Sequence, residues 1–104
     1  MSRLAKLESL LAADPFDTFI LYGLAQEHAK LADWPRAIAF YDRTLAVDPA
    51  YCYAYFHKAK AQVSAGDLAA AKATVATGLA AAQRAGDSKA LNELGELQIE
   101  LDDA

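Results

Sequence analysis

The chain has 104 residues, of which 10 are basic and 14 acidic, for a formal net charge of -4. This length fits one domain, and the 55% hydrophobic content is enough for a core without disulfides or metal. The acidic balance and the lack of any run of Lys or Arg argue against nucleic acid and anionic membranes as partners, because both need a basic surface.

Residues that bind metals and cofactors are scarce. Cys52 is the single cysteine, and the two histidines, His28 and His57, leave too few soft ligands for a structural zinc site. We therefore predict no metal, no cofactor and no disulfide. The first eight residues carry charge where a signal peptide is apolar, and no window approaches the ~20 apolar residues that span a bilayer. We expect no membrane association and a cytoplasmic location.

Apolar residues recur at intervals of three and four along the chain, which predicts helices and no strands. Turn residues separate the apolar segments, and each turn supplies an Asp or Ser that can cap the next helix. The predicted helices span 2–13, 17–31, 34–46, 50–64, 67–84 and 88–101. The links between them are short, so consecutive helices should pack as antiparallel neighbours.

Several features recur after 34 residues. The repeated pairs are Asp14-Pro15 with Asp48-Pro49, Asp33 with Asp67, and Leu45 with Leu79. Each pair stands at the same point of a helix-turn-helix unit. A period of this length with two helices per unit indicates stacked helical hairpins, each of which buries its apolar face on the next.

With this period the chain resembles the tetratricopeptide repeat family, whose signature runs W-x2-L-G-x2-Y, then A-x3-F, then P. Leu24, Ala37, Tyr41 and Pro49 match it in the first unit. His28 departs from it, since it stands where the family has a tyrosine. The resemblance implies an all-α fold of antiparallel helical hairpins, stacked as a short right-handed solenoid of about six helices.

The resemblance also divides the single domain, 1–104. It implies a half-unit helix at 2–13, a first repeat at 14–47, a second repeat at 48–83 and a capping helix at 88–101. Within these units we expect His28 and Cys52 to be buried, and Trp34 to cover the end of the first hairpin.

The first helices of such units are expected to line a concave surface that binds a peptide. The residues that this geometry selects are Phe19, Tyr22, Gln26, Tyr53, Phe56, His57, Lys60, Lys89 and Asn92. Aromatic side chains provide contact area with few rotors to immobilise, so the groove suits an extended or helical segment. The alternative for each ring is packing within the fold. Lys60 and Lys89 would favour an acidic ligand, or are simply solvated charges.

The sequence lacks catalytic motifs such as a phosphate loop, G-x-G-x-x-G or H-E-x-x-H, so we predict no enzyme activity. The main hypothesis is an adaptor or scaffold, a protein–protein interaction module that binds a peptide in the aromatic groove. The alternative is a structural protein that forms a homodimer, because the alanine-rich helix around Leu79 could pack against a second copy.

Overall fold

The structure, a computed structural model, describes residues 2–104, and within this range the chain forms six helices and no strand. The helices are α1 (Arg3–Ala13), α2 (Thr18–Lys30), α3 (Trp34–Val47), α4 (Cys52–Ser64), α5 (Leu68–Ala85) and α6 (Ser88–Asp102). Every observed end lies within two residues of the predicted one. The all-α prediction is confirmed.

Aspartate caps explain where four of the helices begin. The carboxylates of Asp17, Asp33, Asp67 and Asp87 each accept a hydrogen bond from the backbone N–H three residues later, at 3.0–3.3 Å. Helix α4 is different, since Asp48 bonds instead to the N–H of Ala50 at 3.0 Å and the next residues form a turn. As a result α4 begins at Cys52, two residues later than predicted.

Each helix packs against the next one in the chain, and α4 also packs against α6. Three-residue links join α2 to α3 and α4 to α5, which makes each pair an antiparallel hairpin. The stack measures 41 × 30 × 18 Å. No helix among residues 2–104 is both long and apolar enough to cross a membrane.

Small residues bring the two helices of each hairpin close together. In the first hairpin Ala25 of α2 and Ala37 of α3 are completely buried in one cluster. In the second, Ala59 of α4 and Ala71 of α5 have the same role. Side chains of this size let helix backbones approach closely while the surrounding larger residues fill the remaining space.

Two predictions about buried polar residues are confirmed. His28 is 8% exposed, and its ring stacks on Phe40 with centroids 5.5 Å apart. Cys52 is also buried, and its thiol donates to the carbonyl of Ala50 at 3.3 Å. Leu79 lies between two buried clusters, so its side chain contributes to the core rather than to an open face of α5.

Candidate functional site

Two open clefts meet along the inner face of α2. The main cleft, of about 350 Å³, is lined by Gln26, Ala29, Lys30, Trp34, Tyr41, His57, Lys60, Ala61 and Ser64. The N-terminal cleft, of about 470 Å³, is lined by Arg3, Phe19, Tyr22, Gly23, Gln26, Glu27 and Lys30. Because Gln26 and Lys30 line both, the clefts form one continuous surface, called the groove below.

An aromatic cluster lies between α2 and α4, consisting of Tyr22, Tyr41, Tyr51 and His57. The Tyr22 ring is central, with centroid distances of 4.9 Å to Tyr51, 5.9 Å to Tyr41 and 6.1 Å to His57. The rings of Tyr41 and His57 are nearly parallel at 6.4 Å. Tilted and offset pairs at these distances are mutually favourable, so the rings hold one another in place.

Burial keeps the hydroxyls of Tyr22 and Tyr41 in their neutral form. The Tyr41 hydroxyl donates to Oε1 of Gln26. Burial raises the pKa of Tyr22 to about 12, and it raises the pKa of Tyr41 further above the ordinary tyrosine range. Both hydroxyls therefore remain protonated at neutral pH. The hydrogen bond from Tyr41 therefore orients the side chain of Gln26, which lines both clefts.

The surroundings of His57 favour the neutral form of its imidazole. Burial lowers its pKa below 6.5, and the nearby charge of Lys60 lowers it further. Glu93 on α6 acts in the opposite direction, but its effect on the pKa is smaller. A neutral ring presents one donor and one acceptor to the groove.

The groove has the opposite charge balance to the whole chain. Its charged lining residues are three cations, Arg3, Lys30 and Lys60, and one carboxylate, Glu27. Glu27 pairs with Arg3 at 2.7 Å and with Lys30 at 3.3 Å. Lys60 is exposed, and its Nζ lies 5.3 Å from the ring centroid of Phe56. An anionic group that entered the groove would meet a net positive surface.

The predicted site residues do not all reach the groove. Five of them line it, namely Phe19, Tyr22, Gln26, His57 and Lys60. Phe56 packs against two buried clusters of α4, α5 and α6 instead. Tyr53 is half-buried on α4, while Lys89 and Asn92 are exposed on α6, and none of these three is among the lining residues of the two clefts.

Trp34 and Tyr51 belong to the site but were not predicted to do so. Trp34 was expected to cover the end of the hairpin, and it does pack beside the first hairpin, yet it also lines the main cleft. The small residues Ala29 and Ala61 lie in the same lining and leave the space into which the cleft opens.

The charged side chains that line the main cleft are both basic. Its lining residues include His57 and two lysines but no carboxylate that could pair with the imidazole. Among residues 2–104, no group of three or more His, Cys, Asp or Glu side chains is arranged to hold a metal ion.

Comparison with known proteins gives the following matches. No family model matches the chain. The chain is 33% identical over 98 residues to a TPR repeat-containing protein of Pseudomonas aeruginosa, covering 94% of this chain and 93% of that protein. A tetratricopeptide repeat domain protein from Salinibacter ruber, known from a solution structure, is 34% identical to this chain. The match covers 85% of this chain and 89% of that protein chain, with a TM-score of 0.78.

A more distant match is the TPR2B domain of yeast Sti1, solved in a complex with pHsp70. It is 23% identical to this chain, and the match covers 96% of this chain and 80% of the Sti1 chain, with a TM-score of 0.88. At this identity the match concerns the fold alone.

Proposed function

The chain belongs to the tetratricopeptide repeat family, and from that premise we propose that it is a non-catalytic interaction module whose groove binds a peptide segment of another protein. The observation that carries this proposal is the continuity of the two clefts over an aromatic floor. Pockets lined by rigid aromatic side chains, with a few polar groups to orient the ligand, are typical of recognition sites.

The floor of the groove favours a peptide with an apolar or aromatic anchor residue. Trp34 offers a partly exposed ring at the main cleft, the buried ring of Tyr41 lies behind it, and Ala29 and Ala61 leave room for a side chain of the ligand. The Gln26 amide and the His57 ring can bond to the main chain of the peptide. Such a ligand gains affinity by burying one large side chain and ordering little of the protein.

The charge balance favours an acidic segment. The groove is lined by the cations Arg3, Lys30 and Lys60 and by one carboxylate, Glu27, which pairs with Arg3 and Lys30, so a net positive charge remains. Because the whole chain has a net charge of -4, the cations of the groove are the feature that would attract an anionic ligand to this face. The proposed ligand is therefore an acidic peptide with one apolar anchor.

The complex of Sti1 TPR2B with pHsp70 is a precedent for ligand binding by a domain of this fold. The ligand class proposed for this chain comes from its own side chains, since the groove here is formed by Tyr22, Gln26, His57 and Lys60.

The proposal is tested by selecting ligands from a random peptide library on the immobilised protein and measuring their affinity by fluorescence anisotropy. Tyr22→Ala and Lys60→Glu should each weaken binding at least ~10-fold, the change expected when a central contact of about 1.4 kcal/mol is lost. Selected sequences should be rich in Asp and Glu around one apolar residue. Binding should weaken as salt increases.

Lys72→Glu is the matched control for Lys60→Glu. It reverses the same charge at an exposed position on α5 that does not line either cleft. We expect its affinity to equal that of the wild type. Equal affinity for the Tyr22→Ala and wild-type proteins, or equal losses for the two lysine variants, would contradict peptide binding in the groove.

A further inference from the structure

Helix α6 exposes a face that α2 and α4 bury. Ala25 of α2 packs against Ala37 of α3, and Ala59 of α4 packs against Ala71 of α5, all completely buried. Gly95 stands 36 residues after Ala59, at the corresponding point of α6. A Cβ at Gly95 would meet nothing within 4 Å. Within residues 2–104, α6 therefore lacks the second helix that completes each hairpin.

The same face of α6 continues as exposed apolar surface. Ile99 lies one turn after Gly95 and is 65% exposed, although it is a large apolar residue. Gln98 beside it is exposed as well, whereas the residue at the equivalent point of α4, Gln62, bonds to Thr74 of α5 at 2.6 Å. The polar and apolar groups that a second helix would cover are thus present on α6.

Helix α1 has the complementary property, an open face where a preceding helix would lie. Phe40 of α3 stacks on α2, and Lys6 stands 34 residues before it in α1. Lys6 is exposed, and Leu10 one turn later is 53% exposed. A pocket of about 320 Å³ lies along this face. It is lined by Arg3, Lys6, Leu7, Leu10 and Phe19.

The two open faces carry opposite charge. Of the six acidic side chains from Asp87 onward, Asp87 caps α6 and Glu93 lies near His57, and the four that are exposed toward the end of the chain are Glu96, Glu100, Asp102 and Asp103. The open face of α1 has two basic residues at its edge, the exposed Lys6 and Arg3, which also pairs with Glu27 at 2.7 Å. In an antiparallel hairpin the acidic end of the first helix lies beside the start of the second, where the helix dipole also favours negative charge.

We propose that α6 of one copy of this chain packs on α1 of a second copy and completes a helical hairpin between them. Ile99 then enters the pocket beside Lys6 and Leu7, Leu10 packs one turn further along against Gly95, and Asp102 faces the start of α1. The contact joins two different surfaces, so it is head to tail and can add further copies. This inference goes beyond peptide binding, since it uses the two ends of the stack. Its pocket on α1 shares Arg3 and Phe19 with the N-terminal cleft and no residue with the main cleft.

The experiment is light scattering after size exclusion, carried out over a range of protein concentrations. The mass of the wild type should rise above 11.1 kDa as concentration increases, and the rise should diminish with added salt. Leu10→Glu on the α1 face and Ile99→Lys on the α6 face should each keep the protein at 11.1 kDa at all concentrations. Each change places a charge of the same sign as the opposing face.

Mixing the two variants distinguishes a head-to-tail contact from a symmetric one. An equimolar mixture should again exceed 11.1 kDa, because each variant retains the face that the other has lost. A symmetric dimer through α1 or through α6 would instead leave one variant able to associate alone, and that result would overturn the proposal. A wild type that stays monomeric into the millimolar range would overturn it as well.

Val47→Glu is the matched control, because Val47 is 44% exposed at the end of α3 and lies on neither face. It should associate like the wild type. Far-UV circular dichroism checks that each variant keeps its helices. If Leu10→Glu loses helix content, Lys6→Glu replaces it, since it reverses the charge of an exposed side chain without changing an apolar contact.

Discussion

The two hairpins, α2–α3 and α4–α5, share their turn and their spacing but contain different large side chains. The first has the buried ring of Tyr41 where the second has Val75, 34 residues later. The second has Tyr55 on its first helix, and Gly78 on α5 makes room for it. The repeat thus fixes the positions of the helices, while the volume at equivalent positions is redistributed.

The redistribution determines where the groove forms. The ring of Tyr41 lies toward the groove, and its hydroxyl bonds to Gln26 there. The hydroxyl of Tyr55 donates instead to the carbonyl of Pro49 at 2.8 Å, in the turn that precedes α4. In the second hairpin Phe56 packs against the clusters shared with α6. The candidate binding surface therefore belongs to the first hairpin and to the face of α4 that lies opposite.

The largest expected effect comes from removing the ring that distinguishes the first hairpin. Tyr41→Ala should lower the free energy of unfolding by about 3–5 kcal/mol, as truncation of a buried aromatic residue does. Val75→Ala at the equivalent position should cost about 2 kcal/mol, because fewer buried carbon groups are lost. Urea denaturation with unchanged m-values measures both. Equal losses would show that the two hairpins do not differ in the way described.

The close approach in the second hairpin is tested by Gly78→Ala. A Cβ at this position would lie 2.7 Å from the Cβ of Tyr55, an atom fixed by the backbone of α4. We expect Gly78→Ala to lower the free energy of unfolding by about 1–3 kcal/mol, despite the better helix propensity of alanine. Gly95→Ala is the control, since a Cβ added there would meet nothing within 4 Å. It should raise the free energy of unfolding by about 0.5–1 kcal/mol. A stabilising Gly78→Ala would contradict the contact.

The turns of the two hairpins differ at the residue with left-handed backbone, and this difference should have a smaller effect on stability. Ala32 has φ +56° in the first turn, and Gly66 has φ +86° at the equivalent point of the second. Left-handed backbone is unfavourable for alanine but not for glycine. Ala32→Gly should therefore raise the free energy of unfolding by about 0.5–1 kcal/mol, and Gly66→Ala should lower it by a similar amount. Thermal and urea unfolding of both variants check the opposite signs.

Sequence reasoning was sufficient for the helices because their signals are local. The caps at Asp33 and Asp67 and the apolar spacing depend on neighbours along the chain, and the observed helix ends follow them. The exception is the start of α4, where Asp48 bonds within the turn and delays the helix.

The groove was only partly predictable because it depends on contacts between helices. The resemblance to the repeat family placed Tyr22 and His57 on an inner face, and both residues line the groove. Phe56 was placed on the same inner face, but α6 packs against α4 and the Phe56 ring is packed against the buried clusters of α4, α5 and α6. Whether an inner-face ring stays accessible depends on the distance to the next first helix, and that distance is set by the packing of the whole hairpin.

The smallest expected effect lies at His57, where α4 of the second hairpin faces Tyr41 of the first. Its pKa in the folded chain is below 6.5, mainly through burial and then through Lys60. Between this lowered pKa and 6.5 the unfolded chain binds more protons than the folded one, so stability rises with pH across that interval. The contribution is fully present above pH 6.5 and is lost as the pH falls through the folded pKa.

In His57→Asn this dependence should be absent, while titrations of the carboxylates are shared with the wild type and cancel in the difference. The difference in unfolding free energy between the two proteins should thus be constant above neutral pH and shift against the wild type in mildly acidic buffer. A shift in favour of the wild type would mean that the ring gains a proton more readily in the folded chain, as it would if Glu93 and not burial dominated its surroundings.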